Sequence, residues 1–269
     1  MVSPSHTMVT QRRHRPSLLI YMLMTNVCML SALPMHGELE RAALALATIF
    51  PSSEFGKRLQ IGRMAQLGPD MIYRPGAIGC DVDTGLTYGE FALDHFACLV
   101  ERALDGSSAE GLTFVDIGSG CGRLVFAAKL LWPELACTAG IEIVPELHAL
   151  ALAAAARTDI PAAPRCQFIC GDAAHALAPT GALADADILF AYSSAFPSEG
   201  DLLSDLSAVC GTCLKVGARV ITTDKRLCSV DGLWAFEELD TITGVNHETG
   251  GTSVGYVYRV TCSQRREQK

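Results

Sequence analysis

A short segment near the middle of the chain has a glycine at every second position, directly after a run of apolar residues. It reads Val115-Asp116-Ile117-Gly118-Ser119-Gly120-Cys121-Gly122, and this order predicts a strand, a tight turn and the start of a helix. Glycines let a backbone turn tightly and approach a ligand closely. The dinucleotide fingerprint requires a glycine where this chain has Arg123. Because Asp116 precedes the first glycine by two residues, the pattern favours a ligand with a cationic amino-acid part and no pyrophosphate.

Two further acidic residues follow the next two predicted strands. Glu142 stands about twenty residues after the glycine turn, where a carboxylate can bind ribose hydroxyls. Asp172 follows the third strand, where its carboxylate can accept a hydrogen bond from an adenine amino group. Three acids after three successive strands, with the glycine turn, match S-adenosylmethionine. Each acid also fits the simpler role of a loop residue or a helix cap.

The elements that must position these residues alternate between strands and helices. Apolar runs predict strands at residues 112–117, 136–141, 166–170, 188–191, 218–222, 234–239 and 254–260. Helices are predicted at residues 38–50, 91–104, 124–131, 146–156 and 201–210. This alternation is typical of an α/β protein with a mostly parallel sheet covered on both faces, and the last two strands predict a terminal antiparallel hairpin. Ligands of such sheets bind outside the carboxyl ends of the strands, where the three acids lie.

The same residues resemble two nested enzyme families. The glycine turn and the acids resemble those of the class I S-adenosylmethionine-dependent methyltransferases, which implies a Rossmann-like fold with a seven-stranded sheet. Upstream, Thr87-Tyr88-Gly89-Glu90 resembles the disruptor-of-telomeric-silencing family, the non-SET histone lysine methyltransferases. In that family a Tyr-Gly-Glu loop precedes a helix and folds over the cofactor. The likeness extends from about Thr87 to Arg259, and Thr87 and Glu90 also fit a capping box for the next helix.

The resemblance implies a set of site residues. Those implied for S-adenosylmethionine binding are Thr87, Tyr88, Glu90, Asp116, Gly118, Gly120, Gly122, Glu142 and Asp172. Those implied for catalysis are Tyr88, Ser193, Phe196 and Tyr256. Ser193 stands at the family's asparagine position, and the aromatic residues would line a lysine channel, although Phe196 and Tyr256 also suit ordinary core packing. Glu248 stands where the family has tryptophan. No metal site is predicted.

The implied activity is methylation of a lysine in a core histone, and the implied location is the nucleus. Three other functions stay open. They are a methyltransferase for a small molecule or a non-histone protein, a protein that binds the cofactor without turning it over, and a nicotinamide oxidoreductase. Arg123 at the glycine position disfavours the last of these.

Composition narrows the choice of partner. The chain of 269 residues is 49% hydrophobic, which excludes low-complexity disorder, and its formal net charge is −8. Nucleic-acid binding needs a basic stripe, so we expect no strong direct binding of nucleic acid. The predicted partner is a histone or another basic protein, and a nucleosome would be reached through an additional partner.

The chain divides into four predicted segments. Residues 1–37 form a leader, basic and then apolar, which suits an N-terminal helix or a targeting signal better than a membrane anchor. Residues 38–84 form an extension with one helix and a loop-rich part that begins at Pro51. Residues 85–262 form the methyltransferase domain, and residues 263–269 form a basic tail. If the leader is a targeting signal, the location becomes an organelle or a membrane surface.

Overall fold

The computed structural model describes residues 33–67, 88–157, 166–247 and 250–265. The helices are α1 (Leu33–Ile49), α2 (Phe55–Leu67), α3 (Leu93–Leu104), α4 (Arg123–Leu131), α5 (Pro145–Ala155), α6 (Ala173–Leu177) and α7 (Ser204–Cys213). The strands are β1 (Thr113–Ile117), β2 (Cys137–Glu142), β3 (Cys166–Cys170), β4 (Ile188–Ala191), β5 (Arg219–Thr223), β6 (Ala235–Val245) and β7 (Thr252–Cys262). Single turns of 3-10 helix lie at Ser52–Glu54 and Ser193–Ala195.

Within the described residues, the strands form one seven-stranded sheet in the order β3-β2-β1-β4-β5-β7-β6. The five strands from β1 to β5 pair in parallel. Strand β7 enters between β5 and β6 and runs antiparallel to both. The predicted mostly parallel sheet with a terminal antiparallel hairpin is therefore confirmed. Because β1 pairs with β2 on one side and β4 on the other, the chain order switches at β1, which opens a crevice at its carboxyl end.

Strand β1 shows how the sheet is buried on both faces. Phe114 packs into one apolar cluster with Phe96 of α3 and Phe126 of α4. The neighbouring Val115 points to the opposite face and packs in a second cluster with Leu206 of α7. Side chains alternate across a strand, so one short apolar run supplies both layers of the core. The buried sheet then holds the strand ends, and the site that follows them, in fixed positions.

Several elements differ from the sequence predictions. The helix predicted at residues 201–210 begins only at Ser204, because Leu202 is held in isolated bridges with Glu199 and Arg226. Strands β6 and β7 are longer than predicted, because they pair with each other over nearly their whole length. The stretch after Pro51, predicted to be loop-rich, contains α2.

The described part of the chain has neither a membrane-spanning helix nor a cluster of metal ligands. Across these residues, the helices are too short or too polar for any of them to span a bilayer. The same residues contain no group of histidine, cysteine and acidic side chains that could hold a metal ion.

Candidate functional site

The glycine turn after β1 is built from left-handed backbone. Gly118, Gly120 and Gly122 have φ angles of 71°, 55° and 85°. Residues other than glycine are strained in this left-handed region of backbone conformation. The amide N–H groups of Gly118 and Ser119 donate to the carbonyl of Ile141 at 2.8 and 3.1 Å. These bonds fasten the turn to the end of β2, so that the turn and the β2 acid share one side of the sheet.

Glu142, the last residue of β2, is hydrogen-bonded to the glycine turn. Its side chain is buried, with the residue 6% exposed. Oε2 accepts the N–H of Gly120 at 2.7 Å, and Oε1 accepts the N–H of Val144 at 2.8 Å. Burial raises the pKa of Glu142, while these backbone N–H groups act in the opposite direction. The carboxylate therefore fixes the shape of the turn and still presents unused lone pairs to the pocket.

Asp116, in β1, is the most unusual side chain of the site. It is 3% exposed, and within the described residues it makes no hydrogen bond and no ion pair. Burial raises the pKa of Asp116 well above its ordinary value, and repulsion from the Glu142 carboxylate adds to this effect. A carboxylate buried to this extent is costly, because burial removes most of the water that would stabilise its charge. This position is therefore suited to receive a positively charged group.

One pocket collects these groups at the carboxyl ends of the strands. Its lining includes Asp116, Glu142, the turn from Gly118 to Gly120, and Gly171 after β3. The hydroxyl oxygen of Ser119 is buried there and has no hydrogen-bond partner among the described residues. The sequence-predicted acids of β1 and β2 and two of the three predicted glycines are thus brought together.

The loop before α3 covers one side of the pocket. Tyr88 and Glu90 both line it, and the Tyr88 hydroxyl donates to Oε1 of Glu90 at 2.9 Å. The same hydroxyl lies 3.0 Å from Sγ of Cys121. Burial raises the pKa of Tyr88 and raises the pKa of the Cys121 thiol to about 11, so both groups are neutral at physiological pH. Thr87, predicted with this loop, lies outside the described residues.

Aromatic residues close the side of the pocket next to β4. Phe196 lines it, and its ring lies 3.4 Å from where a β carbon on Gly118 would stand. Tyr192 also lines it and packs against Phe91, with 5.0 Å between ring centroids. Sequence reasoning did not select Tyr192. Its place directly after β4, in the same segment as Phe196, was the signal that could have found it.

Four predicted site residues lie outside this lining. Ser193 is 0% exposed, and its hydroxyl bonds with the backbone of Thr223, as donor to the carbonyl at 2.8 Å and acceptor from the N–H at 2.9 Å. Gly122 is the N-cap residue directly before α4, where its missing side chain leaves room for Phe168. These two positions serve the framework, because their atoms face neighbouring elements and not the pocket.

The other two of the four have similar explanations. Asp172 caps the short helix α6, its Oδ1 accepting the N–H of Ala174 at 2.7 Å. Tyr256 lies in β7, where the guanidinium of Arg226 stands 5.0 Å from its ring centroid. Neither Ser193 nor Tyr256 lines the pocket, so the catalytic roles expected of them stay predictions.

Comparisons with known proteins do not assign the chain to a family. No family model matches the chain, and no curated protein matches it. Among solved structures, the rRNA methyltransferase AviRa from Streptomyces viridochromogenes is 17% identical, with a TM-score of 0.48 over 64% of this chain and 86% of that one. TrmN from Thermus thermophilus is 18% identical, with a TM-score of 0.45 over 64% of this chain and 50% of that one. YcgJ from Bacillus subtilis is 12% identical, with a TM-score of 0.43 over 63% of this chain and 100% of that one.

These likenesses do not extend beyond the general fold, because the identities and TM-scores are low. The sheet order, the terminal hairpin and the flanking helices define the Rossmann-like fold of the class I methyltransferases, as the resemblance in the sequence implied. The choice of cofactor and substrate then depends on the side chains of the pocket.

Proposed function

We propose that the chain is an S-adenosylmethionine-dependent methyltransferase. The observation that carries this proposal is the buried, unpaired carboxylate of Asp116 beside a turn of left-handed glycines, anchored by Glu142. A ligand with a cationic amino-acid part would compensate the Asp116 charge, which no residue of the described chain does. A pyrophosphate would place further negative charge against the same carboxylate, which disfavours a dinucleotide.

The remaining pocket side chains fit the other parts of this cofactor. Glu142 offers carboxylate lone pairs to ribose hydroxyls. Ile143, Val144 and Leu147 supply an apolar wall that suits an adenine ring. Asp172 stays the predicted acceptor for the adenine amino group, although its Oδ1 already caps α6. When bound, the cofactor would supply a methyl group on a positively charged sulfur. A nucleophile would attack the methyl carbon in line, the carbon–sulfur bond would break, and the neutral thioether would be the leaving group.

The chain's own contribution to the transfer is alignment and exclusion of water. Phe91, Tyr192 and Phe196 form an aromatic wall on the β4 side of the pocket. A lysine amine has an unperturbed pKa of about 10.4 and must lose its proton before it attacks. An apolar aromatic wall favours the neutral amine, because desolvation penalises the ammonium form. Lysine methylation by this site therefore needs no dedicated base.

For the substrate, we propose a lysine of a core histone, with the nucleus as the place of action. Support comes from Tyr88 and Glu90, which line the pocket in the loop shared with the histone methyltransferase family, and from Phe196 at its aromatic position. The net charge of −8 is complementary to a basic protein. Ser193 at the family's asparagine position favours the second candidate, a methyltransferase for a small molecule or a non-histone protein, because its hydroxyl is engaged with Thr223.

Transfer of a radiolabelled methyl group tests both the methyltransferase activity and the histone substrate. The full-length protein is incubated with labelled S-adenosylmethionine and with free core histones, nucleosomes, total RNA, other proteins or a metabolite extract. We expect label in a histone band, more strongly with free histones than with nucleosomes, because the acidic chain is repelled by DNA. The Asp116→Asn variant is the matched control for contaminating enzymes and should transfer no label.

Two other outcomes of this experiment would contradict part of the proposal. Label in RNA, other proteins or small molecules alone would contradict the histone substrate and retain the methyltransferase. No label in any fraction, from protein that binds the cofactor, would contradict the methyltransferase and leave a binding protein.

A further inference from the structure

Helix α2 contributes to the lining of the candidate pocket, although it precedes every strand of the sheet in the chain. We propose that Arg58 and Gly62 of α2 are positioning residues, which hold Tyr88 and Glu90 against the glycine turn so that the cofactor pocket takes its binding shape. This inference rests on the proposed function, because its readout is S-adenosylmethionine binding. It assigns to the N-terminal extension a direct part in the site.

Arg58 connects α2 to the loop through a partly buried ion pair with Glu90. The residue is 4% exposed, and its Nε and Nη2 both donate to Oε1 of Glu90, at 2.9 and 2.7 Å. Its Nη1 donates to the carbonyl of Pro51 at 3.3 Å. The guanidinium also lies over the rings of Phe50 and Phe55, 5.9 and 6.0 Å from their centroids. Oε2 of Glu90 also lies 3.6 Å from Nε of Arg123, so Glu90 keeps one cationic partner when Arg58 is replaced. The bonds from Arg58 link the loop to α2, and replacing Arg58 removes that link.

The second contact is the close approach of Gly62 to the backbone of the same loop. A β carbon on Gly62 would lie 2.7 Å from Cβ of Tyr88, a distance that real side chains do not reach. Gly62 also lines the pocket itself. The absence of a side chain at this helical position therefore allows Tyr88 to sit where it does.

Tyr88 lies between α2 and the glycine turn and links the position of one to that of the other. On its far side, the ring edge lies 2.8 Å from where a β carbon on Gly120 would stand. Its hydroxyl lies between Oε1 of Glu90 at 2.9 Å and Sγ of Cys121 at 3.0 Å. Because Tyr88 is enclosed between α2 and the turn, a shift of the helix displaces the turn that binds the ligand.

Two glycine-to-alanine substitutions within α2 give the sharpest test. Nothing lies within 4 Å of the place that a β carbon on Gly56 would occupy, so Gly56→Ala is the matched control for Gly62→Ala. Alanine is the better helix former, so both changes favour the helix itself. We expect Gly62→Ala to weaken S-adenosylmethionine binding by about tenfold or more in calorimetry, and Gly56→Ala to leave it within about twofold.

A second pair of variants separates positioning from general docking of the extension. Arg157 donates to the carbonyls of Thr48 and Ile49 in α1, at 3.2 and 3.4 Å, and does not line the pocket. We expect Arg58→Met and Arg157→Ala both to lower the thermal midpoint, and only Arg58→Met to weaken cofactor binding, measured at a temperature where circular dichroism shows folded protein.

Wild-type affinity in both Gly62→Ala and Arg58→Met would overturn the inference. If Arg58→Met does not fold, the two glycine variants decide the question alone. Failure of the wild-type protein to bind S-adenosylmethionine would instead refute the proposed function, which keeps the two failures distinct.

Discussion

At the scale of single residues, Asp116 relates stability to function. The carboxylate is buried without a partner in the described chain, and its pKa is raised by burial and by Glu142. A group that lowers the stability of the free protein is typical of a binding site, where the ligand supplies the missing interaction. Its neighbour Glu142 differs, because two backbone N–H groups stabilise its charge.

The substitution Asp116→Asn tests this account of the free protein. Asparagine keeps the shape of the side chain and removes the charge, so we expect the free energy of unfolding at neutral pH to rise by about 1 to 3 kcal/mol. Urea denaturation at a series of pH values measures the change. Asp231→Asn, at an exposed position, is the control and should change stability by less than about 0.5 kcal/mol.

The pH dependence of that difference follows from the direction of the pKa shift. Because the folded-state pKa of Asp116 is raised, its favourable contribution is fully present below the ordinary aspartate pKa and is lost as the pH rises through the folded value. The variant and the wild type should therefore be similarly stable near pH ~4. Their difference should widen above that pH and level off once the folded pKa is passed. A variant less stable than the wild type at neutral pH would contradict the account.

A single site residue could be predicted from the sequence when the residues next to it in the chain form a recognisable pattern. Asp116 and Glu142 were found because a local pattern of glycines and strand ends specifies them. Arg58 was missed because its partner Glu90 is 32 positions away, and nothing local marks either residue as part of an ion pair. Ser193 was assigned by alignment with a family motif, and only the paired strands reveal that its hydroxyl faces Thr223.

At the scale of elements, Ser193 joins two strand ends. It follows β4, and its hydroxyl exchanges two hydrogen bonds with the backbone of Thr223 at the end of β5. Its own N–H donates to Oγ1 of Thr223 at 3.0 Å. The 3-10 turn that carries Ser193 thus sets the direction in which the chain continues to Phe196, on the pocket wall.

Replacing Ser193 with alanine tests this structural role. The change leaves two buried backbone groups of Thr223 without their partner, so we expect a loss of about 1 to 3 kcal/mol in the free energy of unfolding. The affinity for S-adenosylmethionine should stay within about twofold, because the side chain does not line the pocket. Ser198→Ala, which removes only an exposed bond to the carbonyl of Gly200, is the control. Unchanged stability with lost binding would give Ser193 the site role that the family likeness implied.

The elements of the extension show where sequence patterns mislead. Gly56 and Gly62 suggested a loop, and each costs helix stability relative to alanine, yet both lie in α2. Tertiary contacts outweigh that cost, since Arg58 is buried in an ion pair and Gly62 gives Tyr88 its space. Local propensity records none of these contacts, because their partners lie far along the chain.

At the scale of the whole molecule, the sheet was predictable because each parallel strand is a short apolar run buried on both faces. The seven predicted strands all lie in the sheet, and the hairpin followed from the missing helix between the last two. Most of the predicted leader, most of the basic tail and the segment before Tyr88 lie outside the described residues, so the predicted division into segments stays a prediction. The overall charge of −8 favours a basic partner. It does not determine the chemistry of the pocket, which depends on the side chains that line it.

The central claim is that the pocket binds S-adenosylmethionine through Asp116. Isothermal titration of the wild type and of Asp116→Asn, each with S-adenosylmethionine and with NAD, measures it most directly. We predict that the wild type binds S-adenosylmethionine and not NAD, and that the variant binds it at least about thirtyfold more weakly while remaining folded. NAD binding by the wild type, or equal affinity of both proteins for S-adenosylmethionine, would contradict the account.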